Sequence, residues 1–407
     1  MLTNRYYLTS RRKIAIDFQF TKEQERFRQE VRNFLDRELP SNWIIAESLP
    51  EQELESEEYW SFCLSVRRKM AEKGWLSLWW PKEYGGQERS LIEFTILREE
   101  IFYRAAPGFD NPGVVMLAPV LLTYGTEEQK RKHLTSIARG EVQWCQGFSE
   151  PNAGSDLASL TMSAIEDGDY FIIDGQKSWT TMGHRADWGF FLVRTDASAV
   201  RHKGLSLLLV DMKTPGISMN PVYNLLGHRH WSEVFFDQVR VPRDNLLGEK
   251  NHGWSVATTI LNNERVVIEA CAMCKRALDW MIRYVKERGT LAKNPIVRHK
   301  LATLATKVEV SRLLCYRTAW LQDKGLNPVH EASMGKVFTN DLLVHVADAG
   351  LEVLGLYGHL AEDSKWAPLN GVLERIYLAY PPWTIAGGSP EVQKNIIATI
   401  GLRLPKT

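Results

Sequence analysis

The sequence predicts a mainly α protein with a β domain: an N-terminal α-helical domain, a middle antiparallel β-barrel or sandwich domain, and a C-terminal four-helix bundle. Three observations predict it. Apolar residues recur at three- and four-residue intervals up to about residue 140, then the period shortens to that of strands until about residue 249, and then the helical period returns. The expected organisation is an extension over 1–16, a helical domain over 17–140, a β domain over 141–249 and the bundle over 250–407. A chain of 407 residues accommodates about two to three domains, and 44% hydrophobic residues suffice for a large core.

Each element follows from local pattern. "TKEQERFRQEVRNFLDREL" opens on Thr21, placed to cap, with a Glu expected to complete a capping box. Phe27, Val31, Phe34 and Leu35 then form one apolar face. "TEEQKRKHLTSIARGE" repeats the arrangement from Thr126 and ends at Gly140. In the middle region, "YFIIDGQKSWTT" reads as two β-prone runs around a D-G turn. "WGFFLVRTD", "GLSLLLVDM" and "EVFFDQVRVP" are further short strands, bounded by turn residues, with no helix between them. From Gly253 to Arg288 the pattern predicts one helix of about nine turns, ending before Gly289. Two more long helices follow, one stopped by Gly325, and "EVQKNIIATIGL" closes the chain.

Composition excludes several classes. Fifty basic and 49 acidic side chains leave a net charge of +1, so neither a nucleic-acid surface nor a polybasic membrane face is expected. No apolar run approaches the roughly 18 residues of a membrane span. The first 16 residues carry Arg and Lys without an acid and lack an apolar stretch, a weakly transit-like composition. The expected location is cytoplasmic, with the mitochondrial matrix as the minor alternative. Cys63, Cys145, Cys271, Cys274 and Cys315 are an odd, scattered set that suits a reducing compartment. Cys271 and Cys274 form a C-x-x-C inside an apolar helical pattern, which favours a core role over metal or redox chemistry. No metal site is expected. His228 and His230 in "GHRHW" read as hydrogen-bonding or ligand-side residues rather than metal ligands.

There is no Rossmann or P-loop fingerprint and no G-x-S-x-G. What stands out is "WCQGFSEPNAGSDLAS", residues 144–159, followed by "GQKSWTT". A strand ending in so many small polar groups offers amides and hydroxyls to an anion or to the polar edge of a ring system. On the residues alone an ordinary polar turn at a sheet edge explains it as well.

The two segments, in this order of helices, sheet and helices, strongly resemble the acyl-CoA dehydrogenases, over about Asp17 to Leu404. These flavoenzymes oxidise the α,β bond of acyl-CoA thioesters. The resemblance implies FAD as cofactor, with Phe148 and Ser149 at the flavin, Trp179 packed along the isoalloxazine and Thr181 donating toward N5. It places Ser155 beside the CoA. It carries Arg288 and Thr290 of "RGTLA" onto the family's grip on the FAD diphosphate of a neighbouring subunit, though Leu291 and Ala292 depart from the pattern. Glu352 and Gly355 of "LEVLGLYGH" fall at its adenine contact, with Glu352 in place of Gln and Leu356 in place of a Gly. Ser389 and Glu391 fall at the flavin side of the last turn. Expected partners are an acyl-CoA, an electron-transfer flavoprotein, and further subunits, as a homotetramer (dimer of dimers) or a hetero-oligomer with a related chain.

The same resemblance raises a difficulty. Removing the α-proton needs a carboxylate in a desolvated pocket. Most family members carry a Glu at the turn before the last helix; here "TIAGGSPEVQKNIIA" puts Gly387 at that position. Gly387 can still offer its backbone amide to the thioester oxygen, with Gly388 beside it. A minority of the family, the isovaleryl-CoA and long-chain types, takes the base from the long helix, where Glu precedes Arg. "LNNERVVIEA" matches with Glu264 and Arg265, making Glu264 the expected base and Leu261 and Arg265 substrate-side residues. A solvated helix glutamate is the competing reading of Glu264, and Glu269 is a weak alternative base. The vacant turn suggests a branched, cyclic or otherwise bulky acyl group. The competing functions are a flavin-binding or structural subunit inactive alone, and an acyl-CoA oxidase or flavin monooxygenase on the same scaffold.

Overall fold

The computed structural model describes residues 19–40, 43, 56–264 and 266–405, without the side chains of Asn263 and Glu264. The expected extension over 1–16 and Arg265 therefore lie outside the described residues.

Helix α1 (Lys22–Glu38) starts where expected, but the capping box closes through Gln24, three positions after Thr21, rather than through a Glu. Its expected apolar face is buried: Phe27, Val31, Phe34 and Leu35 are each at most 2% exposed. Helices α2 (Glu57–Glu72) and α3 (Leu91–Tyr103) follow, the latter with its own box between Ser90 and Glu93. Helix α4 (Ala118–Tyr124) and the irregular α5 (residues 127–138, capped by Thr126 with Gln129) complete this region. Buried charges lock α3 in place. Arg28 donates to Glu99 at 2.8 Å and to Glu100 at 2.5 Å. Arg312 and the Tyr316 hydroxyl each reach Glu99 at 2.6 Å. Burial alone would raise the Glu99 pKa; the guanidinium groups of Arg28 and Arg312 hold it below the usual carboxylate range.

The middle strands are β1 (Trp144–Gly147), β2 (Ser163–Asp167), β3 (Tyr170–Thr181), β4 (Trp188–Arg194), β5 (Leu205–Asp211), β6 (Ile217–Tyr223), β7 (Arg229–Pro242) and β8 (Leu246–Leu247). They form one sheet ordered β6-β7-β3-β2-β4-β5-β8, with β1 on β4. Pairing is mainly antiparallel as expected, but β1 runs parallel to β4. The strands β4 and β5 read as unbroken apolar runs because both of their faces are covered. Phe190, Leu192, Leu207 and Leu209 join the core of the N-terminal helices, while Phe191, Val193, Leu208 and Val210 join a separate core on the opposite face.

The expected D-G turn is absent: β3 runs through Asp174 and Gly175 without reversing. The pair marks a bulge instead. Register shifts between Ile173 and Gly175 as β7 carries the extra residue, and Asp174 accepts the amide of Gln238 at 2.9 Å. A Cβ at Gly175 would stand 2.9 Å from the Met162 side chain, so the glycine serves close packing.

The predicted nine-turn helix is also two helices. α6 (Gly253–Glu264) ends at Glu264, Val267 has φ −83° and ψ 42°, and α7 (Ile268–Glu287) begins anew. α6 packs on β5 and α4, whereas α7 packs on α3, α8 and α9, so the chain changes direction between two different supports. α8 (Pro295–Asp323), ended by Gly325 at φ +71°, and α9 (Val329–Leu354) run antiparallel. Ser311 and Thr339 hydrogen-bond between them at 2.7 Å. α10 (Val372–Ala379) and α11 (Pro390–Ile396) close the bundle. Cys271 and Cys274 are buried in α7 and burial pushes both thiols up, as a core role predicts. Among the described residues no cluster of His, Cys, Asp and Glu suits a metal, and no helix is long and apolar enough to cross a membrane.

Candidate functional site

One ledge is built where β1 ends. Gly147 passes so close to Phe191 that a Cβ would stand 2.1 Å from its ring. The chain then enters the loop 148–162, and Glu150 folds it. One Glu150 oxygen accepts from the Thr161 amide at 2.7 Å and the Thr161 hydroxyl at 3.0 Å. The other accepts from the Met162 amide at 2.9 Å and from Lys177 at 2.8 Å. Lys177, fully buried on the inward phase of β3, also donates to the Phe148 carbonyl at 3.0 Å. Burial lowers the Lys177 pKa to about 8, with Glu150 pulling in the opposite direction. Burial would raise Glu150; the charge and hydrogen bond of Lys177, together with the amides of Thr161 and Met162, outweigh it and hold the carboxyl low.

This fastening brings the expected flavin residues together. The Ser178 amide donates to the Ser149 carbonyl at 2.9 Å, joining the loop to β3. There β3 bulges: register jumps from Lys177 opposite Val234 to Thr180 opposite Ser232. Trp179, in the bulge, takes the left-handed φ of +60° and turns outward, 61% exposed, edge-on to Trp231 at 5.7 Å. A core tryptophan would be buried; this one is held out as a platform. Thr181 follows, half-buried and opposite Trp231. Phe148 is buried against Phe190 and Ser155 is exposed on the loop.

The acid-free turn is built from beneath by α9 and α11. Buried Lys336 donates to the carbonyls of Gly388 at 2.7 Å and Thr384 at 3.1 Å. Asn340 donates to the Trp383 carbonyl. Gln393, wholly buried, donates to the Gly387 carbonyl at 3.0 Å. Gly387 and Gly388 both have positive φ, at +67° and +100°, and a Cβ on Gly388 would stand 2.4 Å from the Gln393 amide nitrogen. The carbonyls of Gly387 and Gly388 are thus engaged from within, while the Gly387 amide donates to no group among the described residues. Ser389 caps α11, and Glu391 lies in its first turn, where backbone donation and the Ser389 hydroxyl lower its pKa.

Glu264 closes α6, preceded by half-buried Leu261, which packs on the N-terminal core. Glu269 is engaged elsewhere: buried Arg98 on α3 donates to it through Nε at 2.6 Å and to the Val266 carbonyl through Nη2 at 2.8 Å. A fourth group sits at one end of the bundle. Arg288 and Thr290 are exposed after α7, with the Arg288 guanidinium 5.2 Å from the Tyr284 ring centroid. The antiparallel course returns Glu352 and Gly355 to that end, Glu352 paired with Lys300. The structure therefore gathers Phe148, Ser149, Trp179 and Thr181 at one ledge, Gly387, Gly388, Ser389 and Glu391 at one turn, and Arg288, Thr290, Glu352 and Gly355 at one bundle end.

Sequence reasoning missed Glu150, Lys177, Lys336 and Gln393. A lysine on the inward phase of a strand was the visible signal for Lys177. Lys336 falls on the buried side of α9, where a cation without a purpose is rare.

A projecting tryptophan beside a polar loop, on a sheet set between two helical regions, suits a protein that binds a planar, polar-edged ligand, and comparison with known proteins specifies the class. Family models for the acyl-CoA dehydrogenase N-terminal, middle and C-terminal domains match residues 21–141, 145–239 and 251–402. The chain belongs to the acyl-CoA dehydrogenase family, oxidoreductases acting on CH–CH bonds whose members are flavoproteins that use FAD. It is 35% identical to acyl-CoA dehydrogenase FadE26 of Mycobacterium tuberculosis, over 95% of this chain and 98% of that protein. It is 31% identical to CarC of Acetobacterium woodii, a caffeyl-CoA reductase–Etf complex subunit, over 94% and 99%. The solved Tcur3481-Tcur3483 steroid ACAD superposes with a TM-score of 0.87 at 32% identity, over 96% of this chain and 100% of that one.

Proposed function

We propose that this protein is an FAD-dependent acyl-CoA dehydrogenase that forms a 2,3-enoyl-CoA, with Glu264 as base and an electron-transfer flavoprotein as acceptor. FAD, when bound, supplies the acceptor for the hydride from the β-carbon. The residues of the ledge fit such a ring: Trp179 stands out from the sheet at 61% exposure on a strained bulge, beside the small-residue loop and the Thr181 hydroxyl. Arg288 and Thr290, exposed at the bundle end, suit a diphosphate, and Glu352 and Gly355 the adenine end.

The observation that carries the base assignment is the construction of the turn. Lys336 and Gln393 hold the carbonyls of Gly387 and Gly388 inward in a conformation that has no room for a side chain on Gly388. The turn is thus an organised amide donor without an acid, and Glu269, the other acid near the helix break, is committed to Arg98. Glu264 then takes the α-proton as the thioester carbonyl accepts from the Gly387 amide. Leu261 and Gly388 border the acyl group, and Ser155 the CoA. The absence of a carboxylate side chain at Gly387 suits a bulky acyl chain, a reading supported by likeness to a protein named a steroid ACAD.

The test is anaerobic mixing of the holoprotein with straight-chain, branched, aryl and steroid-derived acyl-CoAs. At least one bulky acyl-CoA should bleach the flavin, and Glu264→Gln should abolish that bleaching. Bleaching by none, with FAD bound, would sink the dehydrogenase reading. Likeness to CarC, named as a subunit of a complex, supports the second reading of a heteromeric enzyme; a chain that binds FAD only with a related subunit would establish it.

A further inference from the structure

We infer that Arg98 is a positioning residue for Glu264, acting by clamping the break between α6 and α7; this rests on Glu264 being the base. A backbone carbonyl inside a helix break has no intrahelical partner, and a buried one must find another. Here the Val266 carbonyl, two residues beyond Glu264, accepts from Arg98 Nη2 at 2.8 Å. The same guanidinium reaches Glu269, in the first turn of α7, through Nε at 2.6 Å. One planar fork therefore ties the backbone inside the break, two residues from Glu264, to the first turn of α7, a geometry that lysine's single ammonium cannot reproduce.

The clamp is buried and rigidly based. Arg98 is 3% exposed and Glu269 6%, so each charge depends on the other. Arg98 comes from α3, whose neighbouring Glu99 and Glu100 tie that helix to α1 and α8 through Arg28, Arg32, Arg312 and Tyr316. α6 rests on β5 and α4, α7 on the bundle, and Arg98 fixes how the first hands over to the second. The direction in which α6 presents its last residue, Glu264, is thereby set from outside the helix. Such placement matters because small displacements of a base cost large factors in rate.

Arg98→Lys, Glu264→Gln and wild-type holoenzymes are compared with the acyl-CoA that bleaches wild type fastest. Arg98→Lys should keep FAD content and bind acyl-CoA within about threefold of wild type, while the limiting rate of flavin bleaching falls at least about tenfold. A wild-type limiting rate, or a loss confined to FAD content or acyl-CoA affinity, overturns the clamp. If Arg98→Lys yields no holoenzyme, the double variant Arg98→Gln/Glu269→Gln replaces the charges by neutral amides, and the same split between rate and binding decides. If Glu264→Gln bleaches like wild type, the base assignment itself fails. If Glu264→Gln is inert and Arg98→Lys is not slowed, only the clamp fails.

Discussion

Replacing Glu150 by Gln is the sharpest probe of how the ledge is held. The carboxylate accepts four hydrogen bonds, two at each oxygen, all between 2.7 and 3.0 Å. An amide offers one acceptor oxygen and one donor nitrogen. Whichever way it flips, the nitrogen faces a backbone amide, that of Thr161 or that of Met162. Lys177, wholly buried, also loses its counter-charge. Removing one partner of a buried ion pair costs about 3–5 kcal/mol. In a chain of this length that lowers Tm by several degrees, since each kcal/mol is worth about 2 °C or less. Because the loop 148–162 carries Phe148, Ser149 and Ser155, FAD retention after gel filtration should fall in parallel. Glu150→Gln/Lys177→Met, which removes the stranded charge, should recover part of the Tm. An E150Q protein with wild-type Tm and full FAD content would refute the view that this carboxylate holds the ledge.

Two further outcomes follow from buried lysines. Burial lowers the Lys177 pKa from 10.5 to about 8, so between those values the unfolded chain binds a proton that the folded chain does not. This group's contribution to stability therefore rises as pH climbs through that window, by up to about 3 kcal/mol; denaturation midpoints of wild type and Lys177→Met at pH 7.5 and 10 should diverge accordingly, and parallel midpoints would contradict it. Lys336→Met leaves the Gly388 and Thr384 carbonyls without their ammonium donor, an expected loss of about 2–3 kcal/mol with slower turnover and retained FAD; unchanged turnover would show that the turn holds its shape unaided.

Local pattern alone determined much of this protein. The face of α1, the stops at Gly140 and Gly325 and the burial of the C-x-x-C are written in short-range periodicity and turn chemistry, which act over a few residues. The family could be read from "FSEPNAGSD" and "KSWTT" only by resemblance, since the residues alone suit an ordinary polar turn; that Trp179 turns outward was decided by the bulge in β3. Only the tertiary structure decided the rest. Asp174-Gly175 has the composition of a turn, but Met162 and Gln238, brought from elsewhere, make it a bulge. Residues 253–287 have an uninterrupted helical period, yet the chain breaks after Glu264 because α6 and α7 lie on different supports and Arg98 satisfies the freed carbonyl. The acid-free turn shows the same division. Its lack of a carboxylate is plain in the sequence, but its organisation depends on Lys336, about fifty residues earlier in the chain, whose buried ammonium needs carbonyls that only the folded bundle brings to it.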